Sequence, residues 1–149
     1  MRAILQRVNN AKVSVDEAVT GEIESGWLVF LGVGQEDNKS DLDYLVDKTI
    51  NIRAFPDEDG KMNLSLLDIK GAVLCVSQFT LYGDCRKGRR PSFSKSGSPE
   101  EGKKYYQQYI DTLKSQNIEV ASGIFGANMK VELSNDGPVT FILDSTKAI

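Results

Sequence analysis

Ala72-Val73-Leu74-Cys75-Val76-Ser77-Gln78-Phe79-Thr80-Leu81 is the stretch from which the fold is read: five small or apolar residues that run into a polar segment near mid-chain. The apolar part is too short for a stable helix and carries no 3.6-residue period. Flanked by Gly71 and Gly83, it predicts a strand covered on both faces. Ser77, Gln78 and Thr80 break the pattern where such a strand should surface. Alternation along the strand would turn Ser77 and Phe79 to one side and Gln78 and Thr80 to the other. A strand end with satisfied hydroxyls and a strand end that carries chemistry both fit these residues.

Working outward, Gly26-Trp27-Leu28-Val29-Phe30-Leu31-Gly32-Val33 is a second continuous apolar strand, with Trp27 as packing. Residues 3–8 and 12–15 alternate apolar with polar and, with a turn from Asp16 to Thr20 and a return through Ile23, predict an antiparallel hairpin. A helix is expected from Ser40 to near Arg53, because Leu42, Leu45, Val46 and Ile50 follow helical spacing and Asp41 and Asp43 suit its N-terminal dipole. Ser98-Pro99-Glu100-Glu101 is a capping box with proline at the first helical position; Tyr105, Tyr106, Tyr109, Ile110 and Leu113 form the core-facing stripe behind it. Asp57-Glu58-Asp59-Gly60 reads as a solvated turn, since the later glutamate of a calcium loop is missing. Met129, Val131 and Leu133 mark a half-buried strand, Phe141-Ile142-Leu143 an apolar one, and Asn135-Asp136-Gly137-Pro138 a tight turn between them with a trans Gly-Pro bond by default.

The 149 residues predict one domain, 1–149, without repeat or linker. The N-terminal segment has no apolar signal region and no apolar run is long enough to span a bilayer, so the expectation is a cytoplasmic protein. Cys75 and Cys85 form no disulfide framework. The chain holds no histidine, which removes the Ser-His-Asp and Cys-His arrangements and every histidine-ligated metal site. A proton acceptor must then be a carboxylate, a perturbed lysine, water or a group of the substrate. Residues 84–95 hold five cations against one acid, a local balance of +4 in a chain of formal charge −3, so everything outside them sums to about −7. Arg86, Lys87, Arg89 and Arg90 on this glycine-containing loop are candidate phosphate contacts, with Phe93 available for stacking; a solvated loop paired with acids is the plainer alternative.

With Ser77-Gln78-Phe79-Thr80-Leu81 and Asn135-Asp136-Gly137-Pro138-Val139-Thr140 both in view, the chain resembles the D-aminoacyl-tRNA deacylases, a family of chirality proofreaders. Gln6-Arg7-Val8, Asp59-Gly60-Lys61-Met62-Asn63-Leu64 and Arg90-Pro91-Ser92-Phe93-Ser94 resemble further family segments in order. Glu17-Ala18 departs from the usual glycine-containing hairpin turn, and Asn128 stands where relatives vary. The resemblance implies an α+β fold, a compact β-barrel-like mixed sheet with two main outer helices, in a homodimer whose active sites pair Ser77, Gln78, Phe79 and Thr80 of one subunit with a cis Gly137-Pro138 from the other. It implies hydrolysis of the ester joining a D-amino acid to the 3'-terminal adenosine of tRNA, with a leak toward glycyl-tRNA. No metal or organic cofactor is implied, and the partners are tRNA and a second copy, with neither membrane nor DNA. Thr80 lacks an adjacent base, so its expected role is positioning before nucleophile, and the ribose 2'-OH is expected to assist water. A non-catalytic RNA-binding or assembly module is the rival reading; a small-molecule esterase is a third.

Overall fold

The computed structural model describes residues 1–149. It is an α+β fold: β1 (Arg2–Val15), β2 (Ala18–Ile23), β3 (Gly26–Gly32), α1 (Lys39–Asn51), β4 (Phe55–Pro56), β5 (Met62–Leu64), α2 (Leu66–Ile69), β6 (Ala72–Ser77), a 3-10 turn (Phe79–Tyr82), α3 (Pro99–Ser115), β7 (Glu119–Ser122) and β8 (Lys130–Asp144). The main sheet runs β2-β1-β3-β6-β7, with β8 on the other edge of β1. β3, β6 and β7 are mutually parallel, while β1 pairs antiparallel with β2, β3 and β8. β2 folds back against β7 closely enough that a Cβ on Gly21 would meet Ser122 O at 2.6 Å. This approach nearly closes the sheet into a barrel.

The expectation for the central strand holds as far as Ser77. Val73 and Cys75 enter the larger core beneath the helices, and Leu74 and Val76 enter the barrel interior. Each such apolar side chain contributes about 1.5–3 kcal/mol by leaving water. Beyond Ser77 the expectation fails, because the chain winds into the 3-10 turn instead of continuing as a strand. No alternation of Phe79 against Gln78 and Thr80 exists there.

α1 begins at Lys39 because Asn38, and not Ser40, is its N-cap: the Asn38 side chain accepts from Ser40 N, and Asp41 accepts from Asn38 N. α3 starts at Pro99 as the sequence predicts, although only the Ser98 half of its capping box forms. Tyr106, Tyr109, Ile110 and Leu113 are buried. The Asp16–Glu17 hairpin turn places both residues at positive φ, 48° and 66°, which matches the twist of the flanking strands without a glycine.

The expected turn at 134–140 is corrected. β8 is one strand from Lys130 to Asp144, antiparallel to β1 along its whole length, and the chain does not reverse. Between the pairs Gln6↔Thr140 and Val8↔Asn135 the register shifts, so residues 136–139 bulge out of the ladder. The Gly137-Pro138 bond at the crest is cis, as the family resemblance implies and against the trans default.

Trp27 is fully buried and donates its indole N–H to Thr49 O at 3.2 Å. Tyr109 is equally buried, its hydroxyl 2.6 Å from Thr49 Oγ1, which donates onward to Leu45 O at 2.7 Å. Thr49→Val strands the Tyr109 hydroxyl without a partner, whereas Tyr109→Phe leaves Thr49 bonded to Leu45. Urea unfolding should therefore show a loss of about 1–3 kcal/mol for Thr49→Val and a smaller one, about 0.5–1.5 kcal/mol, for Tyr109→Phe.

Candidate active site

The three parallel strands end at the same edge of the sheet, and the segments that follow them enclose a cavity of about 490 Å³. Val33 follows β3, Ser77 to Phe79 close β6, and Phe125 to Met129 follow β7; Ser96 to Pro99 and Gly102 form the wall where α3 begins. A cleft outside the carboxyl ends of parallel strands is where open α/β sheets bind ligands, since the strands stop there and their loops diverge. None of the sixteen lining residues is charged. The polar groups on offer are the side chains of Ser77, Gln78, Ser96, Ser98 and Asn128, and the main chain.

The turn from Phe79 to Tyr82 supplies main-chain donors. Leu81 N bonds back to Gln78 O at 3.3 Å, so the N–H groups of Phe79 and Thr80, at the start of the turn, have no carbonyl within it. No side chain caps it. Two adjacent unpaired N–H groups at the rim of a cavity can hold an oxygen that gains negative charge.

Of the residues marked in the sequence, Ser77, Gln78 and Phe79 line the cavity; Thr80 does not. The Thr80 hydroxyl accepts a hydrogen bond from Gln78 Nε2 and faces solvent. No ionisable group contacts that hydroxyl, so nothing in the chain is placed to take its proton.

Gly137 and Pro138 do not line the cavity of their own chain; both are exposed on the bulge of β8. The bulge is nevertheless anchored from behind. Asn135 Nδ2 donates to Arg7 O at 2.8 Å and to Val139 O at 3.1 Å, bracketing residues 136–138. The buried Arg7 guanidinium donates from Nη1 to Ala54 O at 2.6 Å. Its Nε lies 3.1 Å from Asp136 Oδ2, near enough to pair in charge but too oblique to count as a hydrogen bond. Gly137 has φ 119°, and a Cβ there would meet Val139 Cγ2 at 2.7 Å, so only glycine fits the crest.

The basic loop leaves the turn at Gly83 and is braced at both ends by the bridges Asp84↔Ser92 and Gly34↔Ser96. Arg86 is neutralised within it, its Nη2 lying 2.6 Å from Asp84 Oδ2. That hydrogen-bonded pairing holds the Asp84 carboxyl well below the usual carboxylate range. Lys87, Arg89 and Arg90 are exposed and make no ion pair. Phe93 packs edge-on against Phe79 at 5.0 Å between ring centroids. Cys75 is buried, which pushes its thiol pKa up and leaves it inert; Cys85 is exposed. No three Cys, Asp or Glu side chains converge into a metal-binding group, and no helix is long and apolar enough to cross a membrane.

The family model described as D-Tyr-tRNA(Tyr) deacylase matches residues 4–144. The chain belongs to the D-aminoacyl-tRNA deacylase family. It is 60% identical over 147 residues to the D-aminoacyl-tRNA deacylase of Thermosipho africanus (strain TCF52B), covering 99% of both chains. It is 55% identical over 148 residues to that of Clostridioides difficile (strain 630), again covering 99% of both. Among solved structures, one titled "c-Myc DNA Unwinding Element Binding Protein" superposes with TM-score 0.91 at 37% identity, covering 97% of this chain and 98% of that one. A second, titled "Structural Analysis of a probable eukaryotic D-amino acid tRNA deacylase", shares the fold with TM-score 0.82 at 17% identity, covering 95% of this chain and 97% of that one. D-aminoacyl-tRNA deacylases are hydrolases.

The sequence reading did not mark Val33, the 96–99 wall or Phe125 to Met129 as part of the deacylase cavity. One signal was present: Gly123-Ile124-Phe125-Gly126 follows a short strand, as Gly83 follows the central one. Arg7 was quoted only for family likeness, and Asn135 for that and as part of the expected turn. Asn135→Ala removes both clamps on the bulge, and urea unfolding should show a stability loss of about 1–2 kcal/mol.

Proposed function

We propose that the protein hydrolyses the ester between a D-amino acid and the 3'-terminal adenosine of tRNA, acting as a homodimer. The observation that carries this reading is an uncharged cavity beside a turn whose first main-chain N–H groups are free, in a chain of this family with no histidine. Such a cavity offers neither an acid for the substrate ammonium nor a base for water. Both must come from outside the pocket's own side chains.

The second copy answers the first need. Gly137 and Pro138 stand exposed on an anchored bulge, away from the cavity of their own chain. Inserted into the partner's cavity, their carbonyls accept hydrogen bonds from the substrate ammonium, and the bulge fills the space an L side chain requires. A main-chain wedge cannot rotate aside, so selection acts by exclusion at the α-carbon and ignores which side chain is attached. Glycine has no side chain to exclude, so glycyl-tRNA is cleaved as well. The exposed Ile142 and Phe79, 59% and 55% accessible, are apolar surface of the kind such pairing covers.

The substrate answers the second need. Its ribose 2'-OH orients a water that attacks the ester carbonyl. The N–H groups of Phe79 and Thr80 hold the resulting oxyanion, a contribution of about 2.7–4 kcal/mol per donor. Collapse breaks the carbonyl bond to the ribose 3'-oxygen, which takes up a proton from the attacking water, and the amino acid leaves as its carboxylate with the second proton released to solvent. Gln78 and Ser77 position the adenosine end, and Thr80 orients Gln78. Arg86, Lys87, Arg89 and Arg90 face tRNA phosphates, with Arg86 contributing least because Asp84 already neutralises it.

The rival reading is a non-catalytic nucleic-acid-binding or assembly module. It draws on the basic loop and on the neighbour whose title names a DNA element.

Release of free tyrosine from D-tyrosyl-tRNA but not from L-tyrosyl-tRNA decides for the deacylase; binding with no release decides for the module. Thr80→Ala should keep kcat within about tenfold of wild type, and a complete loss with tRNA binding intact would restore a nucleophilic threonine. A 2'-deoxy terminal adenosine should slow hydrolysis at least about a hundredfold. Gly137→Ala should lower the D-over-L ratio.

Affinity for tRNA should fall as salt rises. The double substitution Arg89→Ala/Arg90→Ala should flatten the slope of log affinity against log salt by up to about 2, at about 0.7–0.9 for each phosphate that is no longer neutralised.

A further inference from the structure

The turn that presents Phe79 and Thr80 is a single short 3-10 segment whose ends close through Leu81 N to Gln78 O at 3.3 Å and Gly83 N to Thr80 O at 2.9 Å, and none of its residues is fully buried. On the strand side it is fixed by Gln78 N, which donates to Leu31 O at 2.8 Å. On the far side it is fixed from outside. Arg2 Nη1 donates to Leu81 O at 2.9 Å, and the guanidinium carbon lies 4.6 Å from the centroid of the Tyr82 ring. Arg2 Nε donates to Asp144 Oδ2 at 3.1 Å. Asp144 is in turn locked, its Oδ1 accepting from Thr146 N at 2.8 Å and Thr146 Oγ1 at 2.6 Å, with only 3% of its side chain accessible.

The end of β3 is shaped to receive this arrangement. A Cβ at Gly34 would lie 2.7 Å from the Tyr82 hydroxyl, and one at Gly32 would lie 3.0 Å from Gln78 O and 3.1 Å from Leu81 Cβ. The turn lies directly on the backbone of β3 and is pressed there by the Arg2 guanidinium. A planar guanidinium can donate to a carboxylate, donate to a carbonyl and stack on a ring at once; an ammonium cannot.

We propose that Arg2, oriented by Asp144, is a positioning residue for the deacylation: it sets the pitch of the 79–82 turn and thereby the aim of the Phe79 and Thr80 N–H groups at the ester oxygen. The proposal rests on the reading that those N–H groups stabilise the oxyanion. It predicts a loss in turnover and not in substrate binding, because an oxyanion donor acts on a charge that the ground state does not carry.

The test compares wild type, Arg2→Ala, Arg2→Lys, Tyr82→Leu and the Arg2→Ala/Tyr82→Leu double variant. The measurements are kcat and KM for D-tyrosyl-tRNA, thermal melting, and amide exchange across 78–83. Arg2→Ala should lower kcat about thirtyfold with KM within about threefold, and Arg2→Lys should recover only part of the loss. The double variant should be no slower than about twice the worse single one, since both act through the same turn. Amide exchange should quicken across 81–83 and stay unchanged in α1 and α3. Wild-type kcat in both Arg2 variants, or unchanged exchange across 81–83, overturns the proposal. Should Arg2→Ala fail to fold, Arg2→Lys decides alone: a kcat loss of several-fold supports the proposal and wild-type kcat ends it. A wild-type protein that does not hydrolyse D-tyrosyl-tRNA overturns the deacylase reading instead, and the exchange measurement still reports whether Arg2 holds the turn.

Discussion

The fold turns on how a single strand serves two cores. β1 sends Ala3 and Leu5 into the core beneath the helices, then Val8, Ala11 and Val13 into the barrel interior. An even position, Val8, and then odd ones, Ala11 and Val13, face the barrel, so the roles exchange between Val8 and Ala11, and a regular two-residue alternation cannot do that without a break in register. β1 takes up that break itself, with two steps from Val8 to Asn10 where β8 takes one from Asn135 to Ser134; on the other side of Val8 the surplus lies in β8, which takes five steps from Thr140 to Asn135 where β1 takes two from Gln6 to Val8. The Gly137-Pro138 crest is the surplus chain of this second irregularity, directly beside the hand-over. Arg7, buried at the same point, fills the gap behind it and bonds Ala54 O.

The chemistry follows from what the chain leaves out. Without histidine, and with no ionisable side chain on the cavity wall, the pocket has geometry and main-chain dipoles to work with and little else. Rigid donors lose little by reorganisation as charge develops, and a rigid wedge discriminates by shape without reading side-chain identity. Such a site suits a substrate that brings its own hydroxyl and whose side chain must not matter. The exposed cations on a braced loop beside it suit a substrate whose bulk is nucleic acid.

Much of the architecture was legible because its causes are local. Val73 to Val76 read as doubly covered because both faces are apolar, Ser98-Pro99 announced α3 by capping chemistry, and the Tyr106 and Tyr109 stripe pointed inward by spacing alone. The misses share another cause. Whether Phe79 continues a strand depends on Gly32 and Gly34, which receive the turn and lie far from it in sequence. Asn135-Asp136-Gly137-Pro138 has the composition of a reversing turn, and only the pairing of β8 with β1 on both sides of it shows that it is a bulge. The cavity wall at 125–129 comes from the parallel placement of β7 beside β6, which no single segment encodes.

Tyr106 couples two of these parts. Its hydroxyl donates to Cys75 O at 2.9 Å, two residues before Ser77, while the start of the same helix, at Ser98, Pro99 and Gly102, forms the opposite side of the cavity. Floor and side wall are thus bolted to one another through the helix. The cleft has a fixed bore, and whatever enters must match that gauge, because the two sides cannot spread without tearing a buried bond from the central strand.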